Sequence, residues 1–142
     1  MQARPQIYAQ SEPRSVSDPS DLVVNRKHNG VTIAVADKNP IVRAGLFDYI
    51  ARDERFAVRE MVASGAEFIS ACERQKIDVG VIGWGLPDMT GGDVLRAIKR
   101  RNLPTRVIIY TGDFSPAVLR EAVKSGAWGV TSKADDPSVL ID

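Results

Sequence analysis

Short apolar runs rich in β-branched residues alternate with polar turns and helical patterns along most of the chain. The five runs cover residues 31–36, 56–62, 79–82, 107–110 and 128–132. Runs of this length and composition indicate strands that are largely buried. Because strands that alternate with helices form a parallel sheet with right-handed crossovers, the sequence predicts an α/β domain with helices on both faces of one sheet.

Helix-start signals stand between the runs. Three pairs place a capping residue before a proline at the first helical position: Asn39-Pro40, Ser115-Pro116 and Asp136-Pro137. Ser64 with Glu67 is typical of a capping box, and Gly126 predicts the end of the fourth helix. The apolar residues that mark the first four helices are Val42, Leu46, Tyr49, Ile50, Phe68, Ile69, Cys72, Val94, Leu95, Ile98, Val118, Leu119, Ala122 and Val123. The prediction is a doubly wound (βα)5 domain over residues 30–142, whose fifth helix is truncated after about one turn.

Residues 1–29 have a different composition from the rest of the chain. They contain three prolines, several serines and few large apolar side chains. Such a segment cannot bury enough apolar surface to offset the entropy of ordering it, so we predict a disordered N-terminal extension. Two roles are open: an extension without function, or a docking or dimer-swapping arm built on Leu22, Val23 and Val24.

The composition argues against several classes of protein. The 19 basic and 18 acidic residues give a formal net charge of +1, which supplies no general attraction to nucleic acid or to an anionic membrane. No apolar run reaches the length of a membrane span. Cys72 is the single cysteine, so no internal disulfide can form and a reducing cytoplasm is the expected compartment. His28 has no partners at metal-ligand spacing, and we expect neither a metal site nor a cofactor.

The residues that directly follow the predicted strands are the candidates for a functional site. In parallel α/β sheets such sites lie at the carboxyl ends of the strands. The candidates in this chain are Asp37, Gly83, Thr111 and Lys133. We expect them to meet in one pocket.

Four segments around this pocket occur in an order and at a spacing known from one family. They are Ala36-Asp37-Lys38-Asn39-Pro40, the loop 83–91, Tyr110-Thr111-Gly112, and Ser125-Gly126-Ala127-Trp128-Gly129 followed by Lys133. On these segments, residues 31–142 resemble the receiver domain of two-component response regulators, most closely the subgroup that precedes a LuxR-type helix-turn-helix. The resemblance implies a flavodoxin-like fold with strand order 2-1-3-4-5.

The same resemblance implies a phosphorylation site from which this sequence departs. In the family, acidic residues after strand 1 bind magnesium, an aspartate after strand 3 accepts the phosphoryl group, and a threonine and a lysine contact it. Here Gly83 stands at the phosphoacceptor position and has no nucleophile. Lys38 replaces the second acidic residue, and Val130 replaces the aromatic residue that changes rotamer in the family. We therefore predict a domain that is independent of phosphorylation and has no catalytic residue.

The predicted pocket is poorly suited to a divalent cation. If all its side chains point inward, Asp37 faces both Lys38 and Lys133, and the formal charge is about +1 instead of about −2. Thr111 and Lys133 are then either remnants held with Asp37 in a salt bridge or contacts for an anionic ligand.

Two carboxylates near the pocket are possible substitutes for the missing one. Asp88 and Asp113 lie on the loops after strands 3 and 4, and we interpret both as exposed loop residues. Trp84 directly follows Gly83. For its ring we favour simple packing over a position across the vacant space.

Trp128 is the candidate interface residue. On the alternation of a strand it shares a side with Val130 and lies opposite Lys133, away from the pocket. It either packs against the fourth helix or anchors an interface. We interpret a basic run at the end of the third helix as a solvated face and not as a nucleic-acid site. That run is Arg96, Lys99, Arg100, Arg101 and Arg106.

Two functional hypotheses follow. The first is a signalling module that controls a C-terminal output domain missing from this chain, expected to be a DNA-binding helix-turn-helix, through homodimerisation or docking of a regulatory protein. The alternative is a sensor whose modified pocket binds a small anion or metabolite. An enzyme is disfavoured, because the sequence offers no nucleophile–base pair and no phosphate-loop motif.

Overall fold

The computed structural model of the chain describes residues 30–135. The predicted N-terminal extension, residues 1–29, and the predicted fifth helix lie outside this range. Strands and helices alternate strictly in chain order. They are β1 (Val31–Ala36), α1 (Pro40–Ala51), β2 (Phe56–Val62), α2 (Gly65–Arg74), β3 (Val79–Ile82), α3 (Gly91–Arg100), β4 (Arg106–Thr111), α4 (Pro116–Lys124) and β5 (Gly129–Ser132).

The five strands form one parallel sheet in the order β2-β1-β3-β4-β5, which confirms the predicted flavodoxin-like topology. The predicted bounds of β1, β2 and β3 are also confirmed. β4 is longer by one residue at each end than predicted, and β5 begins at Gly129, so Trp128 precedes the strand. Among residues 30–135, no helix combines the length and apolar character needed to cross a bilayer.

The sheet separates two apolar clusters, because successive residues of a strand point to opposite faces. On one face, Ile33 and Val35 of β1 pack with buried residues of α1, β3 and β4. On the other face, Ala34 and Ala36 pack under α2 and α3, around the fully buried Phe68. Gly80 of β3 is needed here, since a Cβ at that position would lie 2.3 Å from Cζ of Phe68.

Side-chain caps set the helix starts, partly in an unexpected way. Asn39 and Ser115 cap their proline-initiated helices as predicted. Ser64 accepts the N–H of Glu67, but the Glu67 carboxylate accepts from the N–H of Ala63 and the hydroxyl of Ser64 and not from the backbone N–H of Ser64, so the predicted capping box is only half formed. The complete capping box is at α3, between Thr90 and Asp93, which the sequence interpretation missed.

Candidate functional site

The carboxyl ends of four strands bring the predicted site residues to one edge of the sheet. The N–H of Gly83 donates to the carbonyl of Ala36 at 2.9 Å, and the N–H of Lys133 donates to the carbonyl of Thr111 at 2.9 Å. These bonds continue the parallel ladders past the ends of the strands. These bonds place Asp37, Gly83 and Lys133 close to one another.

Asp37 is the buried centre of this site, with 2% of its surface exposed. Its Oδ1 accepts the N–H of Asn39 at 2.9 Å. Its Oδ2 lies 2.8 Å from Nζ of Lys133 and accepts no well-directed hydrogen bond from the residues described. A buried carboxylate is tolerated only when it is paired, so the expected ion pair between Asp37 and Lys133 is what keeps this charge inside the domain.

The Asp37 carboxylate also fills the space beside Gly83. A Cβ built on Gly83 would lie 2.9 Å from Oδ2 of Asp37 and 3.4 Å from its Cγ. The distance to Oδ2 is too short for a real Cβ, so any side chain at residue 83 requires the Asp37 carboxylate to shift. The void expected next to Gly83 is therefore absent, because Asp37 folds over the glycine.

Thr111 does not join the ion pair. Its side chain is buried, and its hydroxyl accepts the N–H of Asp113 at 2.9 Å and donates to the carbonyl of the same residue at 3.3 Å. This local turn uses the hydroxyl within the β4–α4 loop. Of the two interpretations left open for Thr111 and Lys133, the ion pair with Asp37 is formed by Lys133 and not by Thr111.

The positive pocket charge was conditional on Lys38 pointing inward, and this condition is not met. Lys38 is exposed and lies in the bend between β1 and α1. Asp37 and Lys133 then balance each other's charge at the site.

Magnesium does not fit the residues present. Asp37 supplies the single carboxylate, and both its oxygens are engaged, by Asn39 and by Lys133. Magnesium needs oxygen ligands at near-octahedral geometry and is usually held by one or two free carboxylates. Within residues 30–135, no three His, Cys, Asp or Glu side chains cluster in a way that would hold a metal ion.

Two residues of the site were missed by the sequence interpretation. Nη1 of Arg43 donates to the backbone carbonyl of Asp37 at 2.7 Å, which fixes the β1–α1 loop from the first turn of α1. Tyr110 is buried beside α1, with Nζ of Lys133 5.9 Å from its ring centre. Burial, and then the charges of Asp37 and Asp135, raise the pKa of Tyr110. The ammonium of Lys133 therefore lies between a carboxylate and an aromatic face.

An open groove beside α1 reaches Lys133 from the Tyr110 side. Its volume is about 320 Å³, and its lining residues are Val42, Gly45, Leu46, Asp48, Tyr49, Arg52, Tyr110 and Lys133. Asp37, Gly83 and Thr111 do not line it. The groove gives solvent access to the ammonium without opening the space over Gly83.

Trp84 and Val130 pack as parts of the core. A Cβ on Gly91 or Gly92 would lie 3.1 to 3.2 Å from the Trp84 ring, so the indole lies against the first turn of α3. This confirms packing and not a position across the pocket. Val130 is half-buried and packs against the cluster under α2 and α3.

Asp88 and Asp113 are exposed, as predicted, but the Asp88 carboxylate caps the start of α2 and the Asp113 carboxylate closes a turn that precedes α4. The two oxygens of Asp88 accept the N–H groups of Gly65 and Ala66, each at 2.9 Å, across 22 to 23 residues of sequence. Asp113 accepts the N–H of Ser115 at 3.1 Å. Neither carboxylate is therefore free to substitute for the one that is missing at residue 83.

The two hydrogen bonds that Asp88 accepts from the start of α2 give a first testable prediction. Asp88→Ala leaves two N–H groups of α2 unpaired and should lower the free energy of unfolding by about 1 to 2 kcal/mol, as for lost helix caps. Asp48→Ala breaks an exposed ion pair with Arg52 and should cost less than about 0.5 kcal/mol. Urea titration of both variants measures the two losses of stability. Equal losses would contradict a capping role for Asp88.

The destabilisation caused by Asp88→Ala should depend on pH, because Asp88 stabilises α2 as a carboxylate. The N–H groups of Ala66 and Gly65 lower the pKa of Asp88 below its ordinary value of 3.8. Its contribution is therefore complete above that value and is lost as the pH falls through the lower folded value. The difference in stability between wild type and Asp88→Ala should shrink only in strong acid.

Trp128 lies at the opposite edge of the sheet from the site. Its N–H donates to the carbonyl of Val107 near the start of β4. The residue is 60% exposed, and Cζ of Arg106 lies 5.3 Å from the centre of its ring. The prediction that it lies away from the pocket holds, but because it precedes β5 and not because of strand alternation. In the basic run, Arg96 pairs with Asp93 and Glu121, and Arg101 pairs with Glu73.

Comparison with known proteins agrees with this architecture. The response regulator receiver domain family matches residues 33–142. The probable transcriptional regulatory protein SgaR of Hyphomicrobium methylovorum is 45% identical over 112 residues, which are 79% of this chain and 53% of SgaR. The nitrate/nitrite response regulator NarP of Escherichia coli is 27% identical over 78% of this chain and 51% of NarP.

Solved structures show the same likeness. The signal receiver domain of the response regulator NarL from Mycobacterium tuberculosis superimposes with a TM-score of 0.76 at 25% identity, over 79% of this chain and 90% of that one. A two-component response regulator of the LuxR family from Aurantimonas gives 0.75 at 28% identity, over 80% and 81%. The chain spans about half the length of the curated relatives it matches. On the extent of the family match, this chain belongs to the response regulator receiver domain family.

Proposed function

We propose that this receiver domain works without aspartyl phosphate and transmits a signal by dimerisation or by docking a partner protein. The attached output is a C-terminal DNA-binding domain, so that the whole protein regulates transcription. The relatives that support this are the probable transcriptional regulatory protein SgaR and a two-component response regulator of the LuxR family. The chain covers about half of SgaR, which leaves room for such a domain in a protein of that length.

One observation carries the proposal: Oδ2 of Asp37 lies 2.9 Å from where a Cβ of residue 83 would be. On the resemblance to the family, Gly83 stands at the phosphoacceptor position. It has no nucleophile, and the space for one is already filled by a carboxylate that is paired with Lys133. A phosphoryl group would find no side-chain oxygen to bond to at this position, and Asp37 would have to move to make room for it.

The surrounding residues support the same conclusion. The nearby carboxylates of Asp88 and Asp113 are committed to the start of α2 and to the turn that precedes α4. Magnesium, which the family uses to neutralise the phosphoryl group, lacks a free carboxylate here. Three conditions for phosphorylation therefore fail together: the nucleophile, the metal ligands and the vacant volume.

The alternative, a sensor of a small anion or metabolite, has less support. It was suggested by a void at Gly83 and by free donors on Lys38, Thr111 and Lys133. Asp37 fills that void, Lys38 points outward and the hydroxyl of Thr111 is used within its own loop. A ligand that entered by the groove beside α1 would have to compete with Asp37 for the ammonium of Lys133.

Exposure to a small phosphodonor tests the proposal directly. After incubation with acetyl phosphate and magnesium, the intact mass of the chain should be unchanged, because Gly83 offers no carboxylate to accept the phosphoryl group. A receiver domain that retains its aspartate serves as the positive control in the same reaction. A gain of one phosphoryl group per chain, mapped to any aspartate of the site, would overturn the proposal.

A further inference from the structure

A groove between α3 and α4 is lined by charged side chains that do not balance one another. Its volume is about 370 Å³, within the range of small-molecule sites, and its lining residues are Arg96, Lys99, Glu121, Lys124 and Ser125. Three cations and one carboxylate give this lining a formal charge of +2. Asp93, which pairs with Arg96 from outside the lining, lowers the sum to +1.

One contact across the groove joins opposite charges. Nη1 of Arg96 on α3 donates to Oε2 of Glu121 on α4 at 2.6 Å and to the hydroxyl of Ser125 at 3.1 Å. Ser125 is buried, and its hydroxyl donates in turn to Oε2 of Glu121 at 3.2 Å. The hydrogen bonds from Arg96 and Ser125 lower the pKa of Glu121, and the charge of Lys124 lowers it further. Glu121 is therefore ionised at neutral pH, and its Oε2 is already engaged.

The next position along both helices holds two like charges. Lys99 lies three residues after Arg96, and Lys124 lies three residues after Glu121. Because α3 and α4 both connect parallel strands they run in the same direction, and the step along each helix is the same, about 4.5 Å. Lys99 and Lys124 therefore border the groove together. Both are exposed, and neither forms an ion pair with any residue between 30 and 135.

The helix ends account for each lysine singly but not for the pair. The carbonyl groups in the last turn of a helix favour a lysine, and Lys99 and Lys124 both lie in a last turn. Across the groove, however, the two ammonium groups border the same concave space, and the carboxylate that lines it is engaged by Arg96. An anion between the two lysines would relieve their repulsion.

The arrangement favours an anion with more than one charge and several acceptor oxygens. Each ammonium group offers several N–H donors and accepts none. A carboxylate carries one charge and would neutralise one lysine, whereas a phosphate or pyrophosphate group has charge and oxygens for both. A nucleic acid is less suitable, because the formal net charge of +1 supplies no general attraction for a long polyanion.

We propose that the groove between α3 and α4 binds a small molecule through a phosphate or pyrophosphate group held between Lys99 and Lys124. The site goes beyond the proposed function, since it involves no transfer of a phosphoryl group. It is also distant from Gly83 in the fold: both lysines lie at the carboxyl ends of helices that lead into the starts of β4 and β5, whereas Gly83 follows the end of β3.

Inorganic pyrophosphate is the probe, titrated into the whole chain by calorimetry at low salt and without magnesium. Binding should be saturable and should weaken as the salt concentration rises. Lys99→Gln and Lys124→Gln should each weaken the affinity about tenfold, because each removes a charge-assisted contact with the anion. Lys38→Gln makes the same change at an exposed lysine near the opposite edge of the sheet and should leave the affinity unchanged.

A reversal of charge gives a second test. Lys99→Glu places a carboxylate beside Lys124, where the anion would lie, and should abolish pyrophosphate binding. Because Lys99 is exposed, the variant should keep the fold, which circular dichroism checks.

Several results would overturn this assignment. They are the absence of saturable binding, an equal loss of affinity in Lys38→Gln and Lys99→Gln, and binding of sulfate as tight as that of pyrophosphate. A single-stranded oligonucleotide that displaces pyrophosphate and depends on both lysines more strongly would make a nucleic acid the occupant instead. The test is separable from the proposed function, since the mass of the chain after treatment with acetyl phosphate does not depend on this groove.

Discussion

Lys133→Met is expected to lower the free energy of unfolding by about 3 kcal/mol, because it leaves a buried carboxylate without its counter-charge. Asp37 is almost fully buried, and Nζ of Lys133, at 2.8 Å, provides the one charge that compensates Oδ2. Methionine has nearly the length of lysine, so the packing on Tyr110 is largely retained. The Lys133 side chain is 31% exposed, and partial access of water to the vacated position places the loss at the lower end for buried pairs.

The matched control is Lys38→Met, which makes the same change at the lysine that follows Asp37 in the chain. Lys38 is exposed, so its loss should cost less than about 0.5 kcal/mol. Urea titrations at neutral pH compare the two variants. If Lys133→Met cost no more than Lys38→Met, the ion pair would not be what holds Asp37 in the interior.

A second comparison separates the charge from the packing. Asp37→Asn removes the charge that Lys133 compensates, and its amide still offers an oxygen to the N–H of Asn39. In that background Lys133→Met should cost clearly less than in wild type, giving a coupling free energy of about 2 kcal/mol. Independent, additive losses would contradict a direct interaction between the two side chains.

The sequence predicted the sheet well for a physical reason. Runs such as Val31–Ala36 are β-branched and buried on both faces, and a parallel strand has no solvent face that would disguise its pattern. Parallel order then forces the strand ends to one edge, so Asp37, Gly83 and Lys133 could be placed near one another before any side chain was seen.

Side-chain direction was the part that sequence could not settle. Whether Asp37 or Lys38 points inward depends on how the chain leaves β1, where the N–H of Asp37 still pairs with the carbonyl of Val62. Similarly, Asp88 caps a helix that lies 22 to 23 residues earlier in the chain. Local spacing rules contain no information about such contacts, because they depend on the packing of α2 against the β3–α3 loop.

Val123 shows the same limit on a helix. Its spacing from Leu119 is typical of a buried stripe, yet it is 67% exposed. The helix pattern identifies α4 but does not say which flank of it another element covers. Glu121 faces α3, where it accepts from Arg96, and Val123 lies on the opposite flank of α4.

Gly83→Asp should lower the free energy of unfolding by about 3 kcal/mol and should not create a phosphorylation site. The new Cβ would lie 2.9 Å from Oδ2 of Asp37, and overpacking of this kind costs about 1 to 3 kcal/mol. A second carboxylate would also share the single ammonium of Lys133, and like charges near 4 Å repel by about 4 kcal/mol at an effective dielectric of 20. Displacement of Asp37 toward the groove relieves part of both costs.

The control is Gly112→Asp, the same substitution on the loop after β4, where a Cβ meets nothing within 4 Å. Neither glycine has a positive φ, so backbone strain does not distinguish them, and Gly112→Asp should change the stability by less than about 0.5 kcal/mol. Asp37→Ala should rescue most of the loss in the Gly83→Asp chain, because it removes both the contact and the like charge. Two results would contradict this: a Gly83→Asp chain as stable as wild type, or one that gains phosphoryl mass with Asp37 in place. Either would mean that Asp37 does not fill the space beside residue 83.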